Sequence, residues 1–397
     1  MTPTTSNIIP ADRVSTVSEY YLQLKMKEVA DLNARGLDIV SLGIGGPDTP
    51  PPANVIDTLC HEARRTDTHG YQPGNGLYDM RRAMSCWYKK HYGVTLDPDT
   101  EVMPLIGSKE GIMHIALTFL NPGDGVLVPN PGYPTYTSVS RLVGAKIIPY
   151  DLKPETGWQP DFETLEHTDL TGVKLMWVNY PHMPTGGCAS TELFERIIDF
   201  GRRYNILIVN DNPYSFILND NPLSILSVPG AKDIAIEMNS LSKSHNMAGW
   251  RVGMLAANPT FVSWIRRVKS NVDSGQFRPV MMAAAEALAV NDDWYSHLNE
   301  LYRERRKVAE KIAQALNTTF DPRQSGLFLW CHIADNEPSG RELADRILRD
   351  ARVFITPGFI FGSNGDRYIR ISLCATPERM NIALDRILNM NLTHHSI

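Results

Sequence analysis

Between residues 100 and 255 the chain repeats one arrangement, a short run that is apolar at every position followed by a stretch with helical spacing. The runs include Val126-Leu127-Val128, Leu175 to Val178, Ile206 to Val209 and Ile234-Ala235-Ile236. Helical patterns such as Glu110 to Leu120 and Glu192 to Tyr204 lie between them. A strand with one wet face alternates apolar and polar residues, whereas a strand buried on both faces does not. The pattern therefore predicts an α/β fold whose large domain has a mainly parallel sheet flanked by helices. Ligands of such sheets bind at the carboxyl ends of the strands, so polar residues just after the apolar runs are the ones to examine.

The flanking segments predict a second unit. A helical pattern carries Tyr20, Tyr21, Leu24, Val29 and Leu32 and stops at Gly36, and the short run Ile39 to Leu42 follows it. Residues 257 to 318 read as helical, and 325 to 390 read as strand, helix, strand, helix, with Gly326 to His332 and Tyr368 to Leu373 as the strands. The division expected is a large domain over 48–290, a smaller α/β domain from the N-terminal helix (17–47) with the C-terminal segment (291–397), and an arm over 1–16. The 397 residues suit two or three domains at roughly 150 residues each.

Composition narrows the classes of function. A formal net charge of -5 and dispersed Lys and Arg leave no basic footprint for nucleic acid. Local groups such as Arg202-Arg203 and Arg303 to Lys307 read as solvated helix faces. No stretch approaches the roughly 20 apolar residues of a membrane helix, and the first residues lack a secretory pattern, so a cytoplasmic protein is expected. Cys60, Cys86, Cys188, Cys331 and Cys374 are odd in number and form no C-x-x-C pair, which argues against disulfides or a metal site and for buried reduced thiols.

Two segments carry the chemistry. Ile206-Leu207-Ile208-Val209-Asn210-Asp211-Asn212-Pro213-Tyr214 puts a carboxylate directly after a buried strand. A charge there needs a partner; a helix cap or a loop ion pair would also supply one. The second segment, Asn239-Ser240-Leu241-Ser242-Lys243-Ser244-His245-Asn246-Met247-Ala248-Gly249-Trp250-Arg251-Val252-Gly253, follows another apolar run. A lysine attacks a carbonyl only when its amine is neutral part of the time, which burial near other cations permits. The alternative is an ordinary surface lysine. Taken together, the segments place an Asp and a Lys at the ends of neighbouring strands, the pair that pyridoxal phosphate requires.

With these motifs in order over roughly residues 18 to 390, the chain resembles a fold-type-I aminotransferase of class I/II, the aspartate aminotransferase superfamily. The resemblance implies pyridoxal 5'-phosphate as cofactor, with Lys243 as the residue that carries it. It makes Asp211 the partner of the ring nitrogen and Tyr214 a donor to the ring's phenolic oxygen. Arg251, Ser240 and the turn Gly107-Ser108-Lys109-Glu110-Gly111 become phosphate ligands, since free N–H groups at a helix start favour an anion. Tyr133, in Pro131-Gly132-Tyr133-Pro134, matches the residue that stacks on the ring. Tyr71 matches one that reaches the partner subunit's phosphate, which implies a homodimer with shared active sites. Arg370, inside the apolar run Tyr368 to Ser372, matches the clamp on the substrate carboxylate; Gly45 approaches the same group. No metal is implied.

One position departs from the family. Where N-P-T-G is usual, the chain reads Met183-Pro184-Thr185-Gly186, and a thioether is a poor hydrogen-bond partner. Tyr214 would then hold the phenolic oxygen alone or with water, Asn179 or His182. The expected reaction is a ping-pong transfer of the α-amino group of an L-amino acid to a 2-oxo acid, 2-oxoglutarate being the expected acceptor. Two alternatives share the fold: a C–S lyase and a non-catalytic regulatory module that keeps the cofactor. The arm before residue 16 and the loop Gly43 to Pro52 are candidates for moving parts.

Overall fold

The computed structural model describes residues 8–394, with side chains as far as Met390. The strands are β1 (Val40–Ser41), β2 (Val102–Leu105), β3 (Gly125–Asn130), β4 (Lys146–Asp151), β5 (Val173–Val178), β6 (Leu207–Asp211), β7 (Ala235–Ser240), β8 (Gly253–Ala256), β9 (Phe328–His332), β10 (Val353–Phe354), β11 (Thr356–Pro357) and β12 (Tyr368–Ser372). Seven of them form the main sheet in the order β2-β8-β7-β6-β5-β3-β4. Within it β8 alone runs against its neighbours; the pairings β3–β4, β3–β5, β5–β6 and β6–β7 are parallel.

Burial follows the sequence pattern. Strands β2, β3, β6, β7 and β8 are buried at every position, as strands covered on both faces must be. Edge strand β4 is not: Lys146, Pro149 and Asp151 face water, and this mixed pattern hid it among the apolar runs. The helices Ser108–Phe119 and Pro259–Lys269 cover one face, sharing a core with Leu105, Val126, Leu175 and Val209. The helix Thr191–Tyr204 buries Leu193, Phe194, Ile197, Ile198 and Phe200 in the core on the other face. Its ends are built from sequence: the Ser190 side chain accepts from the Leu193 N–H, and Asn205 closes it in a left-handed conformation.

A smaller antiparallel sheet, β11-β12-β9, and the parallel pair β1–β10 form a second cluster of strands. The helices Tyr21–Ala34, Gly340–Arg346 and Pro377–His394 belong with them. Helix predicted over 257–318 is broken into Pro259–Lys269, Arg278–Leu288 and Asp292–Ala315. Two readings need correction. Arg305 is not solvated: it is 1% exposed, and its guanidinium grips Asp48 through both Nη atoms at 2.7 and 3.1 Å and donates to the Leu373 carbonyl. Of the five thiols, all unpaired, only Cys331 is buried, while Cys60 and Cys86 are exposed on helices. The expected arm falls partly outside the described residues; within them Asp12–Thr16 makes one 3-10 turn. No helix among the described residues is long and apolar enough to cross a membrane.

Candidate active site

The main strands end in one place. A cavity of about 360 Å³ lies where β2, β3, β5, β6 and β7 reach their carboxyl ends, closed on the far side by residues of the second strand cluster. Ten of the twelve residues singled out from sequence line it: Gly45, Ser108, Lys109, Tyr133, Asp211, Tyr214, Ser240, Lys243, Arg251 and Arg370. Gly107 stands just behind, against Arg251. Its φ is +76°, and an added Cβ would come within 2.2 Å of the Arg251 Nη2, so both the turn and the close approach call for glycine. Tyr71 is not brought into this cavity; it is 94% exposed.

Asp211 closes β6 with its carboxyl buried. Oδ2 accepts a 2.9 Å bond from the Tyr136 hydroxyl, and Oδ1 has no partner. Burial raises its pKa to about 7; the Tyr136 bond opposes the shift and the Glu237 carboxyl behind it adds to it. Such an oxygen asks for a cationic donor. Lys243, in the short helix Leu241–Ser244 after β7, has no carboxylate within reach among the described residues, and its amine bonds only the Gly45 carbonyl. Burial lowers its pKa, and the charges of Arg370 and Arg251 push the same way.

The far wall is a cation held by π faces. The Arg370 guanidinium lies 3.8 Å from the ring centre of Phe328 and 4.7 Å from that of Phe361. Nη2 donates to the Gly43 carbonyl at 2.9 Å, Nη1 meets only the Met183 sulfur at 3.3 Å, and Nε is buried without a partner. Burial depresses its pKa to about 10. Unspent donors on a buried guanidinium mark a place for an anion. At the other end, Lys109 has its pKa lowered by burial and by Arg251. Two cations converge there at the start of the Ser108 helix, beside the Ser240 and Ser242 hydroxyls, with no carboxylate among the cavity-lining residues near them. That is a setting for a multiply charged anion.

Several cavity residues were not singled out from sequence. Tyr136 follows Tyr133 by three positions on the helix that Pro134 opens, so both face the same way. Tyr20, Ile44 and Phe328 complete the apolar wall. Asn179, a suggested helper for a phenolic oxygen, spends its amide on backbone: Nδ2 donates to the Asp211 carbonyl and Oδ1 accepts from the Met183 N–H. His182 does not line the cavity and bonds Thr185 instead. In the loop Gly43 to Pro52, the carbonyls of Gly43 and Ile44 accept from Thr356 and Ser372, and that of Gly45 from Lys243.

Residues 38–387 match the family model for aminotransferase class I and II. The chain belongs to this family. It is 39% identical over 383 residues to LL-diaminopimelate aminotransferase of Oleidesulfovibrio alaskensis, covering 96% of this chain and 98% of the relative. The enzyme of the same name from Aquifex aeolicus is 37% identical over 385 residues, covering 96% and 99%. Among solved structures, substrate-bound BacF from Bacillus subtilis superposes with a TM-score of 0.92 at 32% identity, covering 97% of this chain and 98% of that one. The chain is thus a pyridoxal-phosphate-dependent aminotransferase, acting on an amino acid and a 2-oxo acid. Its cavity fits the cofactor on its own terms: the unpartnered Asp211 oxygen shares it with a lysine that lacks a carboxylate, and a cationic cup stands at the helix start.

Proposed function

We propose that this aminotransferase takes LL-diaminopimelate as amino donor and 2-oxoglutarate as acceptor, and that Lys243, Asp211 and Tyr214 perform the chemistry. The observation that carries the assignment of roles is that three buried groups in one cavity are left under-satisfied: the Lys243 amine, Asp211 Oδ1 and Arg370 Nε. The donor rests on the 37–39% identity to enzymes that carry that substrate's name.

Bound pyridoxal phosphate supplies an electron sink that weakens the donor's Cα–H bond. Asp211 keeps the ring nitrogen protonated through Oδ1, and Tyr136 keeps the carboxylate aimed from Oδ2. Tyr214 and Tyr133 would hold the ring, Tyr214 by its hydroxyl and Tyr133 by its face. Gly107, Ser108, Lys109, Ser240 and Arg251 hold the phosphate, with Tyr71 reaching that of the partner subunit in a homodimer. Arg370 takes the substrate's α-carboxylate with its free donors, beside Gly45. The Lys243 amine, its pKa lowered by burial and by the charges of Arg370 and Arg251, would take the Cα proton and return it. The same proposal divides the chain into a cofactor domain (48–290) and a smaller one (17–47 with 291–397), supported by the separate strand clusters, and sets the enzyme in the cytoplasm, where five unpaired cysteines persist.

The test is the visible spectrum of the enzyme loaded with pyridoxal phosphate. LL-diaminopimelate should bleach the cofactor band and 2-oxoglutarate should restore it. A band that ignores LL-diaminopimelate but bleaches with another amino acid would overturn the donor and keep the transfer.

A further inference from the structure

Beneath the cationic cup lies a second ionic cluster that the chemistry above does not use. Lys269, on the helix Pro259–Lys269, is 3% exposed. Its ammonium donates to Glu110 Oε1 at 2.6 Å and to Asp273 Oδ2, and His114 Nε2 lies 2.7 Å from the same Glu110 oxygen. Ligand atoms of Glu110, His114 and Asp273 lie within 4.8 Å of one another, a spacing that would suit a metal ion, but the Lys269 ammonium already serves as their cation.

Each carboxylate also reaches a turn of the cup. Glu110 Oε2 accepts the Ile106 N–H at 2.6 Å, fixing the residue before Gly107. Asp273 Oδ1 accepts the Gly275 N–H at 3.3 Å, and the next residue, Gln276, donates to the Arg251 carbonyl at 2.9 Å. Gly275 is packed so closely on the loop after Tyr71 that an added Cβ would meet the Pro73 carbonyl oxygen at 2.7 Å. Glu110 stays ionised here: burial works against its charge, but the bonds from His114 and Lys269 and the Ile106 N–H outweigh it.

We propose that Lys269 is a positioning residue for the cofactor's phosphate, clamping Glu110 and Asp273 so that the Gly107 turn, the Arg251 backbone and the Tyr71 loop keep the spacing a phosphate needs. The proposal rests on the assignment of the cup to pyridoxal phosphate. Lys269 touches neither cofactor nor substrate, so its removal acts on one end of the cofactor only.

The experiment titrates apoenzyme with pyridoxal phosphate and with pyridoxal, which lacks the phosphate, and reads the visible band at equilibrium. Lys269→Met should weaken pyridoxal phosphate about tenfold or more while pyridoxal changes less than about twofold. Lys269→Arg, which keeps the charge and both bonds, should recover most of the loss. Equal weakening of both ligands, no weakening, or no recovery by Arg would each overturn the proposal. If Lys269→Met does not fold, Asp273→Ala removes the bonds from both Lys269 and the Gly275 N–H and leaves the Lys269–Glu110 pair in place; a loss confined to pyridoxal phosphate supports the proposal, and an unselective or absent loss overturns it. A wild-type protein that forms no band with either ligand would overturn the cofactor assignment itself, and that result is read before any variant is made.

Discussion

Two lysines and their carboxylates stand one layer apart in this enzyme and are treated in opposite ways. In the lower layer Lys269 bonds both Glu110 and Asp273, so neither carboxylate lacks a cation. In the cavity Lys243 and Asp211 have no such partners: the amine meets a carbonyl, and one carboxyl oxygen meets nothing. Burial of a charge is tolerated when it is paired and costs stability when it is not. The lower layer is therefore built to hold shape, and the upper one carries a deficit that the proposed binding of cofactor and substrate would make good. The neighbouring strand repeats the contrast. Glu237 on β7 is as buried as Asp211, yet it accepts from Ser224 Oγ, Asn210 Nδ2 and the Ile225 N–H at 2.7, 2.9 and 3.0 Å.

The contrast breaks most visibly at Lys243. Lys243→Ala should slow amino transfer by about three orders of magnitude or more, because both the covalent attachment and the proton carrier go. Single-turnover rates with saturating pyridoxal phosphate measure this, with the melting temperature as a control for folding. A normal rate would show that the unpaired lysine is not the working one.

Asp211→Asn should cost about two to three orders of magnitude in transfer rate, since an amide cannot keep the ring nitrogen protonated. Without cofactor the same change should stabilise. Asp211 has its pKa raised to about 7 from an ordinary 3.8, so between those values the folded chain binds a proton that the unfolded chain has released. Stability contributed by this group therefore falls as pH rises through that window and stays low above it. Apo Asp211→Asn should melt higher than apo wild type at pH 8, and the gain should vanish near pH 4. Thermal melts at the two pH values decide it, and a variant that melts lower at pH 8 would mean the carboxylate is satisfied after all.

Glu237→Gln sharpens the comparison from the other side. Burial raises the Glu237 pKa as well, but its bonds from Ser224, Asn210 and the Ile225 N–H oppose the shift, so removing its charge should gain less at pH 8 than Asp211→Asn does. Denaturant melts of the apoenzyme at pH 8 should thus show the larger gain for Asp211→Asn, and an equal or larger gain for Glu237→Gln would erase the contrast.

How much of this was legible before folding follows from distance along the chain. Asp211 stands just past the apolar run Ile206 to Val209, and Lys243 lies in the segment that follows the run Ile234-Ala235-Ile236, so their place near strand ends could be read from neighbours alone. Arg370 was visible for the same reason, as a charge inside an apolar strand. Tyr136 and Lys269 carry no such mark: Asp211 lies 75 positions from Tyr136, Glu110 lies 159 from Lys269, and Asp273, four positions from Lys269, reads by itself as an ordinary surface ion pair. Arg305 misled because a run of charges on a helix looks solvated, whereas its partner Asp48 arrives from 257 positions away. Which donors remain unspent depends on pairings that only the folded chain makes.

The smallest effect expected is at Met183, and it tests whether the deficit at Arg370 is itself tuned. Among the described residues the sulfur is the one hydrogen-bond partner of Arg370 Nη1, at 3.3 Å, and a thioether accepts weakly. The guanidinium consequently keeps most of its hydrogen-bonding capacity for a carboxylate. In Met183→Asn an amide oxygen would compete for Nη1 before substrate binds. The Michaelis constant for the amino donor should rise by about twofold to fivefold, a neutral hydrogen bond's worth, with little change in the maximal rate. Steady-state kinetics with the donor varied at saturating acceptor would show the split. A fall in the Michaelis constant would mean that the amide orients Arg370 better than the sulfur does, and that the weak partner at this position is a loss rather than a reserve.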